Sequence, residues 1–125
     1  MKRIISTPNA PAAIGPYSQA VSVGDTLYTS GQIAIDPATG NIVGPSIEEQ
    51  TTQAMKNIGQ ILKAAGLDYS NVVKTTIFIT DMACFGTVNK IYGEYFTDNA
   101  PARSCVEVKS LPKNALIEIE AIATK

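Results

Sequence analysis

The sequence predicts a single α+β domain spanning residues 1–125, with about six strands in one sheet and two helices on one of its faces. A length of 125 residues suits one domain, and no internal repeat, low-complexity tract or block of charge divides the chain. The candidate elements follow the order β-β-β-α-β-α-β-β. Because two helices can cover only one face of such a sheet, we expect a partner on the other face.

The first part of the chain predicts three or four strands and one long loop. A short strand at Arg3 to Ser6 precedes TPNAPAAIGPYSQA, whose prolines and glycine cannot pair in a sheet or continue a helix. A loop of this length is typically functional or mobile, so Tyr17 within it is a candidate residue. The segments Val21 to Val23 and Thr26 to Thr29 flank a Gly-Asp reversal and predict a hairpin, and DPATG predicts a second turn.

Two helices are predicted from their caps and their apolar spacing. Ser46 followed three residues later by Glu49 is a capping box, and Gly66 stands where a left-handed residue ends a helix. Asp81 predicts the N-terminal cap of a second helix. The apolar stripe expected for this second helix comprises Phe85, Val88, Ile91, Tyr92, Tyr95 and Phe96.

The remaining segments predict three strands. Val72 to Ile79 is rich in β-branched residues, as is typical of a central strand, while PARSCVEV and ALIEIEAIA flank a turn at PKN. Alternate residues of a strand point to opposite faces, so Arg103 and Cys105 share one side. If the last two strands pair, we expect that side to carry Glu118 and Glu120 as well.

The face expected to carry Arg103 has two interpretations. It is either the solvated face of an antiparallel sheet, where charged and apolar residues alternate, or a face packed against other copies in an oligomer. Further apolar residues expected on the same side favour the oligomer, because so apolar a face is unsuited to water. These residues are Cys105, Leu116 and Ile122, with Val72 and Phe78 on the central strand.

The composition limits the chemistry available to this chain. There is no histidine, which removes the commonest general base and metal ligand and every Ser-His or Cys-His nucleophile pair. A net charge of -1 gives no electrostatic basis for binding a nucleic-acid backbone or an anionic membrane.

The two cysteines lack CxxC spacing and are expected to be free thiols. With no apolar segment typical of a membrane span or a signal peptide, we expect a cytoplasmic protein.

Arg103 is a candidate for binding a small carboxylic acid. An arginine buried between subunits needs a carboxylate from the protein or from a ligand, because an unpaired buried charge is costly. Its planar guanidinium can bind both carboxylate oxygens at once, which a lysine cannot do, and a buried glutamate nearby could activate a water molecule. From the residues alone, a purely structural ion pair at Arg103 is an equally good interpretation.

Five ordered segments carry a resemblance to a known family. APAAIGPYSQA, YTSGQIAIDPATG, VVKTTIFITDM, PARSCVEV and LPKNALIEIEAIA together resemble the RidA family, also called the YjgF-like family, from about Ile5 to the C-terminus. The resemblance implies a fold like chorismate mutase of the Bacillus type, with a mixed sheet. It also implies a homotrimer whose sheets pack as a central barrel and whose three sites lie in clefts between subunits.

The activity that the resemblance implies is the deamination of reactive imines. Such an enzyme hydrolyses 2-iminopropanoate to pyruvate and ammonia, and 2-iminobutanoate to 2-oxobutanoate, and it needs no metal or organic cofactor. Its substrates are released by pyridoxal-phosphate enzymes such as serine/threonine dehydratases.

The resemblance also implies roles for individual residues. Arg103 matches the arginine that binds the substrate carboxylate, and Glu118 matches the residue associated with the hydrolytic water. The other matching positions are Tyr17 lining the cleft, Ser30 and Gly31 in the loop that closes on the substrate, Asn89 at the cleft edge, and Cys105 through its backbone.

Other interpretations remain for the function and for single residues. A non-enzymatic regulator could use the same intersubunit cleft to sense a 2-oxo or 2-amino acid. Nuclease activity and translation inhibition are disfavoured by the acidic balance and the missing histidine. Tyr17 could simply cover the core, Asn89 could be an ordinary surface residue, and Glu120 shares a side with Glu118. The thiol of Cys105 lacks a base to activate it as a nucleophile.

Overall fold

The computed structural model describes residues 1–125, with six strands and two α-helices. The strands are β1 (Lys2–Ile5), β2 (Ala20–Val23), β3 (Thr26–Thr29), β4 (Val72–Ile79), β5 (Ala102–Glu107) and β6 (Ile117–Thr124). The helices are α1 (Ile47–Ala64) and α2 (Phe85–Gly93), and short 3-10 turns occupy Tyr69–Asn71, Met82–Cys84 and Pro112–Asn114.

The six strands form one mixed sheet in the order β1-β2-β3-β6-β4-β5. Every neighbouring pair is antiparallel except β4 and β5, which are parallel. Strands joined through a helix can run parallel, and α2 makes that connection between β4 and β5. The predicted α+β class and mixed sheet are therefore confirmed.

Both helices pack on the same face of the sheet, as predicted. Ile58 and Ile61 of α1 lie in one buried cluster with Leu27 and Ala121 of the sheet. A second buried cluster joins residues of both helices to β4 and β6: Ala54, Met55, Ile77, Ile79, Val88, Tyr92, Ile117 and Ile119. Neither helix has the length and apolar character needed to cross a membrane.

The predicted ends of α1 are confirmed. The backbone N–H of Glu49 donates to Ser46 Oγ at 3.1 Å, and Gly66 adopts a left-handed φ of 77°. The N–H of Leu67 donates to the carbonyl of Leu62 at 2.9 Å, which completes a Schellman motif at the C-terminal end. Local sequence alone thus determines where this helix begins and ends.

The second helix is shorter than the apolar stripe predicted. Asp81 caps the 3-10 turn Met82–Cys84, and α2 follows it from Phe85 to Gly93. Tyr95 and Phe96 lie beyond the helix but still pack on the core: their ring centroids are 5.1 and 5.9 Å from that of Tyr69.

The last two strands do not pair, because β4 lies between β5 and β6, so the condition under which Arg103 and Glu118 would share a side is not met. Thr75 of β4 is the register partner of Arg103 on one side and of Ala121 on the other. Phe78 of β4 is the partner of Glu118. Register partners point to the same face, so Arg103 lies on the face that the helices cover and Glu118 on the opposite face.

The face opposite the helices, which we call the open face, is the apolar face for which a partner is expected. Ile4, Tyr28 and Val106 point to it and are 52%, 48% and 42% exposed. Phe78 and Ile122 lie on this face as predicted. The predicted side is wrong for two residues: Cys105 shares the helix-covered face with Ile119, and Val72 is buried in the core.

Candidate active site

A cleft of about 420 Å³ lies where the long N-terminal loop meets the segment that follows β3. It is lined by four of the residues that the sequence singled out: Tyr17, Ser30, Gly31 and Glu118. The wall is mixed, since apolar residues such as Ile33 line it together with Glu118. A small ligand with one polar end fits a lining of this kind.

Backbone pairing fixes the wall of this cleft against β6. Gln32 and Ile119 exchange two backbone hydrogen bonds, of 2.7 and 3.0 Å, directly beside Glu118. Ser30 donates its hydroxyl to the carbonyl of Ser18 at 2.5 Å, and its N–H donates to the carbonyl of Gln19 at 2.9 Å. Ser30 therefore ties the loop to the sheet, and its hydroxyl oxygen retains capacity to accept a hydrogen bond.

Gly31 provides the space in which the Glu118 side chain lies. A Cβ placed on Gly31 would overlap the carboxylate of Glu118 and would lie 2.7 Å from its Cδ. Contacts that short are not tolerated, so any larger residue at position 31 must displace the carboxylate. The resemblance implies that Gly31 lies in a loop that closes on the substrate, and in the structure Gly31 also leaves the space that the Glu118 carboxylate occupies.

The environment of Glu118 favours a role as a base. Burial raises the pKa of its carboxyl above the ordinary value, and the nearby charge of Glu120 raises it further. A carboxylate whose pKa is closer to neutrality accepts a proton more readily than an ordinary surface glutamate. Glu118 is half-buried, and Glu120 is exposed.

Two further residues that line the cleft, Tyr17 and Lys113, carry polar groups. Tyr17 is 50% exposed and offers both a ring and a hydroxyl to a ligand. Lys113 is the one basic residue that lines the cleft within a chain, and its backbone adopts a left-handed φ of 56°. Its Nζ donates to the carbonyl of Gly40 at 3.4 Å, a long hydrogen bond.

The remaining predicted residues form a second group on the surface between α2 and β5. Arg103 donates from Nη1 to Oδ1 of Asn89 at 2.6 Å. Its Cζ lies over the rings of Phe85 and Tyr92, 5.2 and 5.1 Å from their centroids. The partners of the guanidinium are thus a neutral amide and two neutral rings, which leaves its charge available to an anion.

Cys105 belongs to the same group, two residues along β5 from Arg103. Burial raises the pKa of its thiol, an effect only partly offset by the positive charge of Arg103. The thiol therefore stays protonated at neutral pH, and thiolate is the nucleophilic form of cysteine. A nucleophilic role for Cys105 gains no support from this environment.

A single chain does not bring the two groups together. Tyr17, Ser30, Gly31 and Glu118 line the cleft, whereas Arg103, Asn89 and Cys105 lie on the surface between α2 and β5. Arg103 and Glu118 point to opposite faces of the sheet, from strands that β4 separates. The expectation that both share one face is wrong, because it assumed that β5 pairs with β6.

Sequence reasoning missed three buried amides that hold the cleft in place. Gln19 accepts from the N–H of Thr7 at 2.7 Å and donates to the carbonyls of Thr7, Ala10 and Pro11 at 3.0, 3.2 and 2.8 Å. Asn57 of α1 donates to the carbonyls of Ile33 and Ile35 at 3.1 and 2.9 Å, and Gln50 accepts from the N–H of Leu116 at 2.8 Å. For Gln50 and Asn57 the available signal was an amide at a helix position that shares the apolar spacing, whereas Gln19 lies in the loop before β2 and no such pattern marks it.

No group of three or more His, Cys, Asp or Glu side chains is arranged so that it could hold a metal ion.

Comparison with known proteins gives a consistent result over the whole chain. Residues 7–125 match the family described as Endoribonuclease L-PSP. The 2-iminobutanoate/2-iminopropanoate deaminase of Mus musculus is 54% identical over 125 residues, which cover 100% of this chain and 93% of the mouse protein. The Homo sapiens protein of the same name is 55% identical over 123 residues, covering 98% of this chain and 90% of that protein. A Yersinia pestis protein of the conserved Rid family has a crystal structure that superposes with a TM-score of 0.96 at 53% identity, covering 100% of both chains.

Proposed function

The chain belongs to the RidA family, whose sequence family is described as Endoribonuclease L-PSP, and from that membership we propose that it is a 2-iminobutanoate/2-iminopropanoate deaminase. It hydrolyses the imine of a small 2-imino acid to the 2-oxo acid and ammonia. The mouse and human relatives that carry this name are 54% and 55% identical to it. The substrate is a small carboxylic acid of the kind that Arg103 is suited to bind.

The observation that carries the proposal is the carboxylate of Glu118, which lies half-buried over Gly31 in the cleft. Burial raises its pKa, so it can take a proton from water at neutral pH without a histidine. The electrophile needs little activation, because a protonated imine already attracts a nucleophile. One water molecule and a fixed substrate are sufficient for this reaction.

The reaction balances with these groups alone. Glu118 accepts a proton from water while the water oxygen bonds to the imine carbon, and the resulting carbinolamine carries the former imine nitrogen as an amine. Return of the proton from Glu118 to that nitrogen allows the C–N bond to break, and ammonia leaves. The hydroxyl oxygen becomes the ketone of pyruvate or 2-oxobutanoate as its proton passes through Glu118 to the departing ammonia, which is released as ammonium and leaves Glu118 ionised for the next turnover.

The substrate carboxylate is held by Arg103 from a second copy of the chain. Arg103 and Glu118 point to opposite faces of one sheet, so both can face one substrate only if two chains contribute. The exposed apolar side chains of the open face, such as Tyr28 and Val106, support packing of the sheets against one another. A homotrimer with its sheets as a central barrel forms three equivalent clefts, each with the Glu118 group of one chain and the Arg103 group of the next.

The enzyme acts in the cytoplasm. Both of its cysteines, Cys84 and Cys105, are free thiols, as is typical of proteins in a reducing compartment.

The proposal is tested by coupling the purified protein to a threonine dehydratase in the presence of semicarbazide, which traps free imine. The wild type should lower the trapped fraction and raise the yield of free 2-oxobutanoate. Glu118→Gln and Arg103→Ala should abolish that effect, since each removes a group that acts on the substrate. Arg3→Ala is the matched control, because Arg3 is the only other arginine and lies exposed on β1.

Two outcomes would contradict the proposal. A wild-type protein that leaves the trapped fraction unchanged is not a deaminase, and binding of 2-oxobutanoate without turnover would then indicate a carboxylate-binding regulator. Loss of activity in Lys113→Met, with Arg103→Ala fully active, would mean that the carboxylate binds the lysine of the cleft instead.

A further inference from the structure

We propose that Tyr92 is a positioning residue for Arg103: a buried hydrogen bond to Thr75 fixes the tyrosine, and its ring holds the guanidinium in the orientation that receives a carboxylate. The inference rests on the function proposed above and concerns how its anion-binding group is held.

One face of α2 contacts the guanidinium at three points. Phe85, Asn89 and Tyr92 are spaced four and three residues apart, so they project from the same side of the helix. The Cζ of Arg103 lies 5.2 and 5.1 Å from the two ring centroids, and the Asn89 amide oxygen accepts from Nη1 at 2.6 Å. An exposed arginine is thereby restrained on several sides before any ligand binds.

Tyr92 is itself rigidly held. It is 4% exposed, and its hydroxyl lies 2.7 Å from the hydroxyl of Thr75, which is 2% exposed. Its ring also packs on Phe96, with centroids 4.8 Å apart. Thr75 is the register partner of Arg103 across β4 and β5, so the residue that anchors the tyrosine lies directly beside the arginine it supports.

A role in packing alone does not explain this pair of hydroxyls. Phenylalanine and valine would fill nearly the same space without burying two polar groups, each of which is costly unless hydrogen-bonded. The hydrogen bond instead fixes the angle of the ring under the guanidinium. Asn89 takes one of the five N–H donors of Arg103, and the others remain for both oxygens of a carboxylate.

A double-mutant cycle on ligand binding tests this inference. The probe is 2-oxobutanoate, titrated into the protein and followed by NMR, which detects weak binding. Tyr92→Leu should raise the Kd about tenfold, as expected when an anion-binding arginine loses its support. The KM of the imine should rise with it while kcat changes little. In an Arg103→Gln background, Tyr92→Leu should cause no further change, because its effect passes through the arginine.

The double variant Thr75→Val with Tyr92→Phe keeps the test valid if Tyr92→Leu folds poorly. Removing both partners of a buried hydrogen bond is nearly neutral for stability, yet we expect the Kd for 2-oxobutanoate to rise about threefold. Wild-type affinity in this variant would overturn the inference. An equal rise in the Kd for 2-oxobutanoate on Tyr92→Leu in the wild-type and Arg103→Gln backgrounds would also overturn it, because a merely structural role for Tyr92 gives that result. If Arg103→Gln alone leaves binding unchanged, the proposed function itself fails.

Discussion

The carboxylate of Glu118 occupies the space that a side chain at position 31 would fill, and this makes Gly31 a sensitive residue. Gly31→Ala should lower kcat by about 10- to 100-fold, because displacing a catalytic group by about 1 Å is enough for such a loss. The steady-state rate of 2-iminobutanoate hydrolysis measures the effect.

Gly86→Ala is the control for that substitution. Gly86 lies in α2, and a Cβ added there would point into open space, so alanine there should keep full activity and slightly stabilise the helix. A Gly31→Ala enzyme as active as the Gly86→Ala enzyme would show that Glu118 does not depend on the space at position 31.

The charge of Glu120 should affect the pH dependence of activity. Glu118 must be ionised to accept a proton, so activity should rise with pH through its raised pKa, which lies above the ordinary value of a glutamate. Burial is the larger cause of that shift, and the charge of Glu120 adds to it. Glu120→Gln should therefore move the acid limb of the kcat profile to lower pH, without returning it to the ordinary value. A limb that stays in place, or moves to higher pH, would contradict Glu118 as the base.

Among the elements, the N-terminal loop depends most on one side chain. Gln19 is 4% exposed and makes four hydrogen bonds to the backbone between Thr7 and Pro11, beside the cleft. Gln19→Leu should lower the free energy of unfolding by about 2 kcal/mol, because it leaves buried backbone groups without partners. Chemical denaturation measures this change, and limited proteolysis should cut the loop faster.

Gln60→Leu provides the comparison for Gln19→Leu. Gln60 lies half-buried on α1 and makes no hydrogen bond to the loop, so its replacement should change the stability by less than about 0.5 kcal/mol. Equal effects of the two substitutions would mean that the bonds of Gln19 do not hold the loop.

The elements also show how far the sequence could predict the structure. Helix α1 was predictable at both ends, because Ser46 and Gly66 act on their own neighbours in the chain. The side-to-side pattern within β5 and β6 was also predictable, but in β4 a register shift between Val72 and Lys74 breaks the alternation and turns Val72 into the core. Whether Arg103 and Glu118 point to the same face of the sheet was not predictable, because this depends on β4 lying between their strands. A shift of one residue in the strand register moves every side chain to the other face.

The candidate site was predictable only in part, because its geometry depends on contacts between residues that are distant in the sequence. Residue types suggested a carboxylate-binding arginine and a glutamate base. The buried amides that hold the cleft in place, such as that of Asn57, were not predictable, because they bind backbone carbonyls that are distant in sequence. The proposed contribution of Arg103 from a second chain depends on the fold and on the assembly, and local sequence carries no signal for it.

At the scale of the whole molecule, the charge distribution bears on the family's description as an endoribonuclease. The chain has a net charge of -1 and no histidine, and its cleft presents Glu118 with Lys113 as its one basic residue. Proteins that bind RNA neutralise phosphates with clusters of basic side chains. This cleft is better suited to one small carboxylate than to a phosphate backbone.

The central claim, that two chains build each active site, is tested most directly by mixing two inactive variants. Arg103→Ala and Glu118→Gln subunits are unfolded together in equal amounts and refolded, and the proposed homotrimers are isolated by size and assayed for imine hydrolysis. In every mixed trimer one interface combines an intact Arg103 with an intact Glu118. Random assembly should therefore restore about a quarter of the wild-type activity per trimer. If the mixture stays as inactive as either variant alone, both residues act within one chain, and the shared site is wrong.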